Sequence, residues 1–234
     1  MIDAHFLATH IPLFRGLPPL QLLRIANEVE VKHIAPGINF SLGVVHCHPC
    51  AYLLSGFVAV KNPLTSTPFF GPYLFSSGKW ILLSHNVAED TRHWVLEIYR
   101  EATIITMPYA PILSLAQQNT QLSVNIMRTV AEESIALLSF SNHLQKLDVE
   151  GRLAFLLLYL AREVFHSKSF RIPINQLKLA ELIGASREVV SRVFAAWRQA
   201  GIIALAQHEV SILQRQELEQ RSKKETRDER RETK

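Results

Sequence analysis

The sequence predicts an α+β protein: an N-terminal antiparallel β-roll, then a long helix, then a C-terminal winged helix-turn-helix. Three observations predict this order. Short apolar stretches separated by Pro and Gly fill residues 11–109, residues 117–147 contain neither Gly nor Pro, and "LAELIGASREVVSRVF" has the spacing of two helices joined by a tight turn. Strands of about five residues between turn signals are typical of a compact antiparallel sheet.

The chain is long enough for two domains, with 234 residues of which nearly half are apolar. We assign residues 1–116 to the β-roll, 117–147 to the long helix, 148–220 to the winged helix-turn-helix and 221–234 to a charged tail. The tail contains basic and acidic residues and no apolar ones, so we expect it to be frayed or disordered.

Charge and composition exclude several classes of protein. The formal net charge of +4 is compatible with an anionic partner but does not identify one. The first residues include Asp3 and no basic segment, which argues against a secretory signal. The longest apolar run, residues 153–161, is far shorter than the roughly 20 residues of a membrane span. With only two cysteines and no disulfide framework, we expect a soluble, cytoplasmic protein.

A short helix is expected before the strands. Leu20, Leu23, Ile25 and Ala26 recur there at helical spacing. The helix would be followed directly by the first strand of the roll.

The long helix has an apolar stripe that is wide for a helix packing on one domain alone. Its predicted dimerisation residues are Leu122, Ile126, Val130, Leu137 and Leu144. Such a stripe fits a helix that packs on its own domain and on the same helix of a second subunit, which predicts a homodimer. A bundle element within one chain is the alternative.

The helix-turn-helix pattern lies in residues 179–203. Gly184 takes the turn position, and Ser186 stands where the N-cap of the second helix is expected. Val190, Val193, Phe194 and Trp197 recur at helical spacing and are predicted to face inward. Two short apolar runs around "QHE" then predict a hairpin that would serve as the wing.

The opposite face of the second helix is polar. It carries Arg187, Glu188, Ser191 and Arg192, with Ser186 at its start. Arginine pairs with guanine, a carboxylate accepts from the cytosine amino group, and a hydroxyl pairs with either. These residues are therefore predicted to bind DNA. The alternative is a solvated face with an ordinary ion pair between Glu188 and Arg192.

Together these segments resemble, nearly end to end, regulators of the cyclic-AMP receptor protein and fumarate-nitrate reductase regulator (CRP/FNR) superfamily. "HIPLFRGLPPLQLLRIA" is similar to the family's opening helix and "PCAYLLSGFVAV" to its Tyr-x-x-x-Gly-x-Val strand. "LDVEGRLAFLLLYLA" resembles the hinge and first DNA-domain helix, "IGASREVVSRVFAAWRQAGII" the recognition helix, and "EVSILQRQELE" the closing strand and helix.

The resemblance implies a cytoplasmic homodimer that binds a DNA palindrome and regulates transcription, with RNA polymerase as a partner where the protein activates. The roll would be a cyclic-nucleotide-binding-like sensor. With Ser191 at the third of its four polar positions, the second helix resembles the family branch whose half-sites read TTGA. The resemblance implies neither an enzyme nor a membrane partner.

The segment that would bind a nucleotide departs from the family pattern. In "GKWILLSHNVAEDTRHW", Arg92 stands where the phosphate-binding Arg is expected. Leu82 or Leu83, however, occupies the position of a sugar-binding Glu, and His93 that of a Ser. A leucine cannot hydrogen-bond a sugar hydroxyl.

The long helix departs from the pattern as well. Leu137 and Leu138 occupy the positions that clasp the base in nucleotide-binding members, so the candidate effector pocket is formed by Arg92, Leu137 and Leu138. We therefore expect no control by cyclic AMP. Two cysteines are also too few for an iron-sulfur cluster within one subunit. The predicted DNA-binding function requires no cofactor.

One cluster of ligating residues remains, "HCHPC", with His46, Cys47, His48 and Cys50. Thiolate and imidazole bind zinc, copper or haem, and the two cysteines could form a redox pair. The favoured interpretation is a loop in which these residues are incidental. Haem binding through one of these histidines or His143 is an alternative, and a small metalloenzyme is a further one. No second catalytic constellation accompanies the cluster, so we expect no enzyme.

Overall fold

The computed structural model describes residues 2–41, 49–61, 74–81, 83–87, 94–171, 175–206 and 209–223. The described residues up to Leu137 form one compact unit, and those from Leu138 onward form a second.

The first unit is an antiparallel roll with helices at both ends of its sequence. Its elements in chain order are α1 (Ala4–His10), a 3-10 turn (Pro12–Phe14), α2 (Pro19–Asn27), β1 (Glu30–Ile34), β2 (Asn39–Ser41), β3 (Pro49–Lys61), β4 (Leu74–Ser76), β5 (Lys79–Ile81), α3 (Leu83–Val87), β6 (Val95–Pro108), α4 (Tyr109–Gln118) and α5 (Thr120–Lys146). Strands β3 and β6 pair along most of their length, and the short strands pair with one or the other. Every described pairing is antiparallel, which confirms the predicted fold class.

Helix α2 lies where the sequence predicts a helix, and only part of the apolar spacing that predicts it is buried. Leu22 and Ile25 are buried in the core of the first unit, whereas Leu20 and Leu23 are 65% and 52% exposed. Leucines at i and i+3 mark a helical stripe, but the sequence also places Leu22 beside them and periodicity alone does not choose between the two faces.

The long helix begins at Thr120, three residues later than predicted. Asn119 is extended, and its Oδ1 accepts a hydrogen bond from the Leu122 backbone N–H at 3.1 Å. Asparagine is a preferred N-cap, so it starts a new helix and separates α5 from α4 without a glycine or proline.

Three predicted dimerisation residues pack on their own roll instead. Leu122 and Ile126 are buried in the core of the first unit, and Val130 packs against it. Leu122 and Ile126 are therefore covered by their own subunit, whereas the half-buried Val130 stays a predicted dimerisation residue. The side chains of Leu137 and Leu144 lie outside the described part of the structure.

A different apolar stripe on α5 is exposed. Met127, Ile135 and Leu138 are 65%, 64% and 65% exposed in the single chain. At 100° per residue these three positions lie within about 80° of one another around the helix axis. The helix is therefore apolar on two faces, one of which covers the roll.

The second unit contains five helical segments and three strands among its described residues. They are α6 (Val149–Tyr159), a π-helical turn (Leu160–Val164), β7 (Ser169–Arg171), α7 (Gln176–Ile183), α8 (Arg187–Gln199), β8 (Ile203–Ala206), β9 (Glu209–Ile212) and α9 (Arg215–Arg221). Antiparallel β8 and β9 form the predicted hairpin, and β7 pairs with the outer side of β9. Arg221 is the last residue of α9, so the ordered chain extends beyond the predicted boundary at residue 220.

Gly56 is expected to be essential for the close pairing of β3 with β6. Its φ is +118°, and a Cβ there would lie 2.7 Å from the Ala102 Cα. Gly56→Ala should therefore lower the free energy of unfolding by at least about 3 kcal/mol, because it adds overpacking to backbone strain.

Gly37→Ala is the matched control for that substitution. Its φ is +84°, but no atom lies within 4 Å of an added Cβ, so only the strain of about 1 kcal/mol remains. Urea unfolding of the two variants measures the difference, and equal losses would contradict the proposed close contact.

Candidate DNA-binding interface

The turn between α7 and α8 is built by a glycine in the left-handed region. Gly184 has φ 61° and ψ 53° and ends α7. The Ala185 backbone N–H donates to the Ala180 carbonyl at 2.9 Å, which satisfies one of the free carbonyls at the helix end. Ala180 is buried, and its small side chain lets the two helices approach.

Ser186 is the N-cap of α8, as predicted. Its hydroxyl accepts a hydrogen bond from the Val189 backbone N–H at 3.4 Å, and its own backbone is extended. The cap places Arg187 at the first helical position. The polar residues that follow are therefore in the first two turns of the helix.

The two faces of α8 are divided as the sequence predicts. Val190, Phe194 and Trp197 are buried and Val193 is half-buried. The opposite face is exposed, with Glu188, Ser191, Arg192 and Ala195.

These exposed residues line a concave surface. It has a volume of about 450 Å³ and is lined by Gln176, Arg187, Glu188, Ser191, Arg192 and Ala195. The structure thus brings four of the five predicted DNA-binding residues together, with Ser186 directly before them as the cap.

Gln176 was missed by the sequence analysis. It is the first residue of α7, after the N-cap Asn175, whose Oδ1 accepts from the Lys178 backbone N–H at 2.9 Å. The cap pattern of α7 could have drawn attention to this helix start. Gln176 and Arg187 are eleven residues apart in the sequence, so local spacing does not show that both line the same concave surface.

Glu188 is held as an ionised acceptor. Its pKa is lowered by a hydrogen bond from its own backbone N–H, by the Ser186 hydroxyl and by the nearby charge of Arg187. The described ion pairs of this unit do not include one between Glu188 and Arg192. A fully ionised carboxylate only accepts hydrogen bonds, as recognition of a cytosine amino group requires.

Two other cations on the helices of this unit form ion pairs within it. Lys178 pairs with Glu181 at 2.7 Å, and Arg215 pairs with Glu219 at 2.7 Å. No such pair involves Arg187 or Arg192 within the described part of the chain, so both guanidinium groups face solvent at the concavity.

Comparison with known proteins agrees with this geometry. Residues 151–221 match the model of the Crp-like helix-turn-helix domain, and these residues include α7, α8 and the hairpin. Residues 151–221 are a Crp-like helix-turn-helix domain.

Relatives in the superfamily match over part of the chain. The cAMP-activated global transcriptional regulator Vfr of Pseudomonas aeruginosa is 26% identical over 106 residues, 44% of this chain and 50% of Vfr. The transcriptional activator protein anr of the same organism is 28% identical over 120 residues, 50% of this chain and 49% of anr. The chain thus spans about half the length of the curated relatives it matches.

A solved structure shows the same fold. A protein from Eubacterium rectale assigned to the Crp/Fnr family superimposes with a TM-score of 0.74 at 16% identity, over 92% of this chain and 99% of that one. In the described part of this chain, no helix is long and apolar enough to cross a membrane.

The candidate effector pocket of this chain is only partly described. Arg92 and the neighbouring Leu82 and His93 lie outside the described residues, as does the Leu137 side chain. Leu138 is exposed. Leu83 is completely buried in the core of the first unit.

A carboxylate of the long helix reaches the same segment. The Ser84 backbone N–H, in the first turn of α3, donates to Glu133 Oε2 at 2.9 Å. The sequence analysis missed this contact, because the two residues are 49 positions apart. It places an acidic group from α5 against the segment where the family resemblance locates nucleotide contacts.

The Cys and His cluster is described only at its end. His46, Cys47 and His48 lie outside the described residues, as does the His143 side chain. Cys50 is completely buried in β3, and burial raises the pKa of its thiol. A buried neutral thiol is a poor nucleophile and ligand, which favours the alternative that Cys50 has no ligand role.

Proposed function

We propose that the protein is a homodimeric transcriptional regulator that reads a DNA palindrome close to TTGA-N6-TCAA. The observation that carries this proposal is the exposed face of Glu188, Ser191 and Arg192, whose orientation is fixed by the buried face of the same helix. A protein that regulates genes in this way acts in the cytoplasm and has no enzymatic role. RNA polymerase is its partner if it activates.

Each exposed side chain has a natural base partner in the major groove. Arg192 binds the guanine of the TGA core through its O6 and N7 atoms. Glu188 accepts from the amino group of a cytosine on the opposite strand, and Ser191 contacts the outer thymine. Arg187 contacts a further base or a phosphate, and Gln176, at the start of the first helix of the motif, is placed to contact the DNA backbone.

Arg192→Ala should reduce affinity by about 1–3 kcal/mol per half-site and remove the preference for guanine, because a bidentate base contact is lost. Selection from a random oligonucleotide pool measures this preference. Arg198→Ala is the matched control, since Arg198 is exposed on the same helix but does not line the concavity. An enriched motif without a TGA core, or an unchanged guanine preference in Arg192→Ala, would contradict the assignment.

The second apolar face of α5 supports a dimer. Met127, Ile135 and Leu138 expose about two-thirds of their surface, and an apolar stripe of this kind on a long helix suits pairing with the same helix of a second subunit. A dimer has two recognition helices, and the half-sites of a palindrome lie about 10 base pairs apart. The twofold symmetry of such a dimer then matches the twofold symmetry of a palindromic DNA site.

Replacing Ile135 and Leu138 together by Glu should give a monomer with greatly weakened DNA binding, because charged groups cannot be buried in the shared stripe. Sedimentation velocity at micromolar concentration measures the mass. The control variant carries Glu at Leu20 and Leu23 of α2, which are also exposed apolar residues. This control should remain dimeric. A monomeric wild type, or a dimeric Ile135/Leu138 variant, would count against the proposed interface.

Independence from cyclic AMP is the third part of the proposal, although the related Vfr is named as cAMP-activated. Leu83 is buried and apolar where a sugar-binding carboxylate would be needed. The Glu133 carboxylate on Ser84 adds a negative charge to that segment, which disfavours an anionic ligand.

Titration calorimetry should therefore show no binding of cyclic AMP at micromolar concentration. Glu133→Gln, which removes the charge but keeps an acceptor oxygen, should not restore binding, because the hydrogen bonds that Leu83 cannot make are still missing. Binding to the wild type with a micromolar Kd would refute this part of the proposal.

A further inference from the structure

One carboxylate oxygen joins three helices of the second unit. Glu150 Oε1, in the first turn of α6, accepts a hydrogen bond from the Trp197 indole N–H at 2.7 Å. The same oxygen accepts from Nε of Arg221, the last residue of α9, at 3.0 Å. The recognition helix α8 is thus tied to the first and last helices of its domain through a single side chain.

Trp197 is the anchor of the inner face of α8. Its side chain is 1% exposed, and it lies beside the buried Phe194 with ring centroids 6.3 Å apart. Apolar packing limits how far the helix can move from the core, but it is not directional. A hydrogen bond is directional, so the indole N–H also restrains rotation of α8 about its own axis.

Arg221 holds the Glu150 carboxylate in place. Its guanidinium also contacts Glu217, one turn earlier on α9, so it lies between two carboxylates. The end of α9 lies close against α6, since a Cβ on Gly151 would lie only 2.9 Å from the Arg221 carbonyl oxygen. Helices α6 and α9 are therefore in direct backbone contact beside Glu150.

We infer that Glu150 is a positioning residue for base recognition: through the Trp197 indole it sets the rotation of α8, and Arg221 of α9 fixes its carboxylate. This inference rests on the proposed DNA-binding function. A rotation of α8 would move Glu188, Ser191 and Arg192 together relative to the base edges. Loss of the hydrogen bond between Trp197 and Glu150 should therefore reduce discrimination between bases as well as affinity for DNA.

The test compares affinities for the selected site and for the same site with the guanine of each TGA core replaced. Glu150→Ala removes the acceptor, Trp197→Phe removes the donor but keeps an aromatic ring, and Glu150→Gln keeps an oxygen for the indole. We expect the affinity ratio of the two sites to fall about tenfold in Glu150→Ala and in Trp197→Phe, as loss of a hydrogen bond to a charged group implies. Glu150→Gln should retain most of the discrimination.

The double variant, Glu150→Ala with Trp197→Phe, should lose no more discrimination than either single variant, because both remove the same bond. Arg215→Ala, which breaks an exposed ion pair on α9, is the control and should discriminate as the wild type does. Circular dichroism establishes that each variant is folded at the temperature used. If Glu150→Ala does not fold, Trp197→Phe provides the same comparison.

A wild-type preference that survives both Glu150→Ala and Trp197→Phe, with only the melting temperature lowered, would overturn the inference and leave the proposed function intact. A wild type without any guanine preference would overturn the proposed function and this inference with it.

Discussion

Burial of Trp197, together with Val190 and Phe194, is the interaction on which the rest of the site depends. These three side chains fix which side of α8 meets the core, so the opposite side presents Glu188, Ser191 and Arg192 to solvent. The left-handed Gly184 and the Ser186 cap determine where the helix starts. Packing therefore sets the direction of the polar side chains, and the cap sets their distance from the helix end.

Much of this could be predicted from sequence, because it depends on residues within about one helix of each other. The turn glycine, the N-cap serine and the two faces of α8 follow from local spacing. The start of α5 was misplaced because the capping role of Asn119 outweighed an uninterrupted helical composition. Leu122 and Ile126 were assigned to a dimer because periodicity identifies an apolar stripe but not the surface that covers it.

Contacts between distant residues account for what the sequence did not predict. Gln176 faces Arg187 across the turn, Glu150 reaches Trp197 across 47 positions, and Glu133 reaches Ser84 across 49. The last two connect a charged side chain to a buried or backbone donor, which no local pattern indicates. Both bear on the proposed function, since one restrains the proposed recognition helix and the other contacts the segment where the family resemblance locates nucleotide binding.

The central claim is that Arg192 reads a guanine in the major groove, and methylation interference tests it most directly. Methylation at guanine N7 blocks the acceptor that a bidentate arginine requires. With sites modified by dimethyl sulfate before binding, methylation of the guanine in either TGA core should exclude the DNA from the complex. Bound DNA that carries N7-methylguanine at these positions as often as free DNA does would contradict the account.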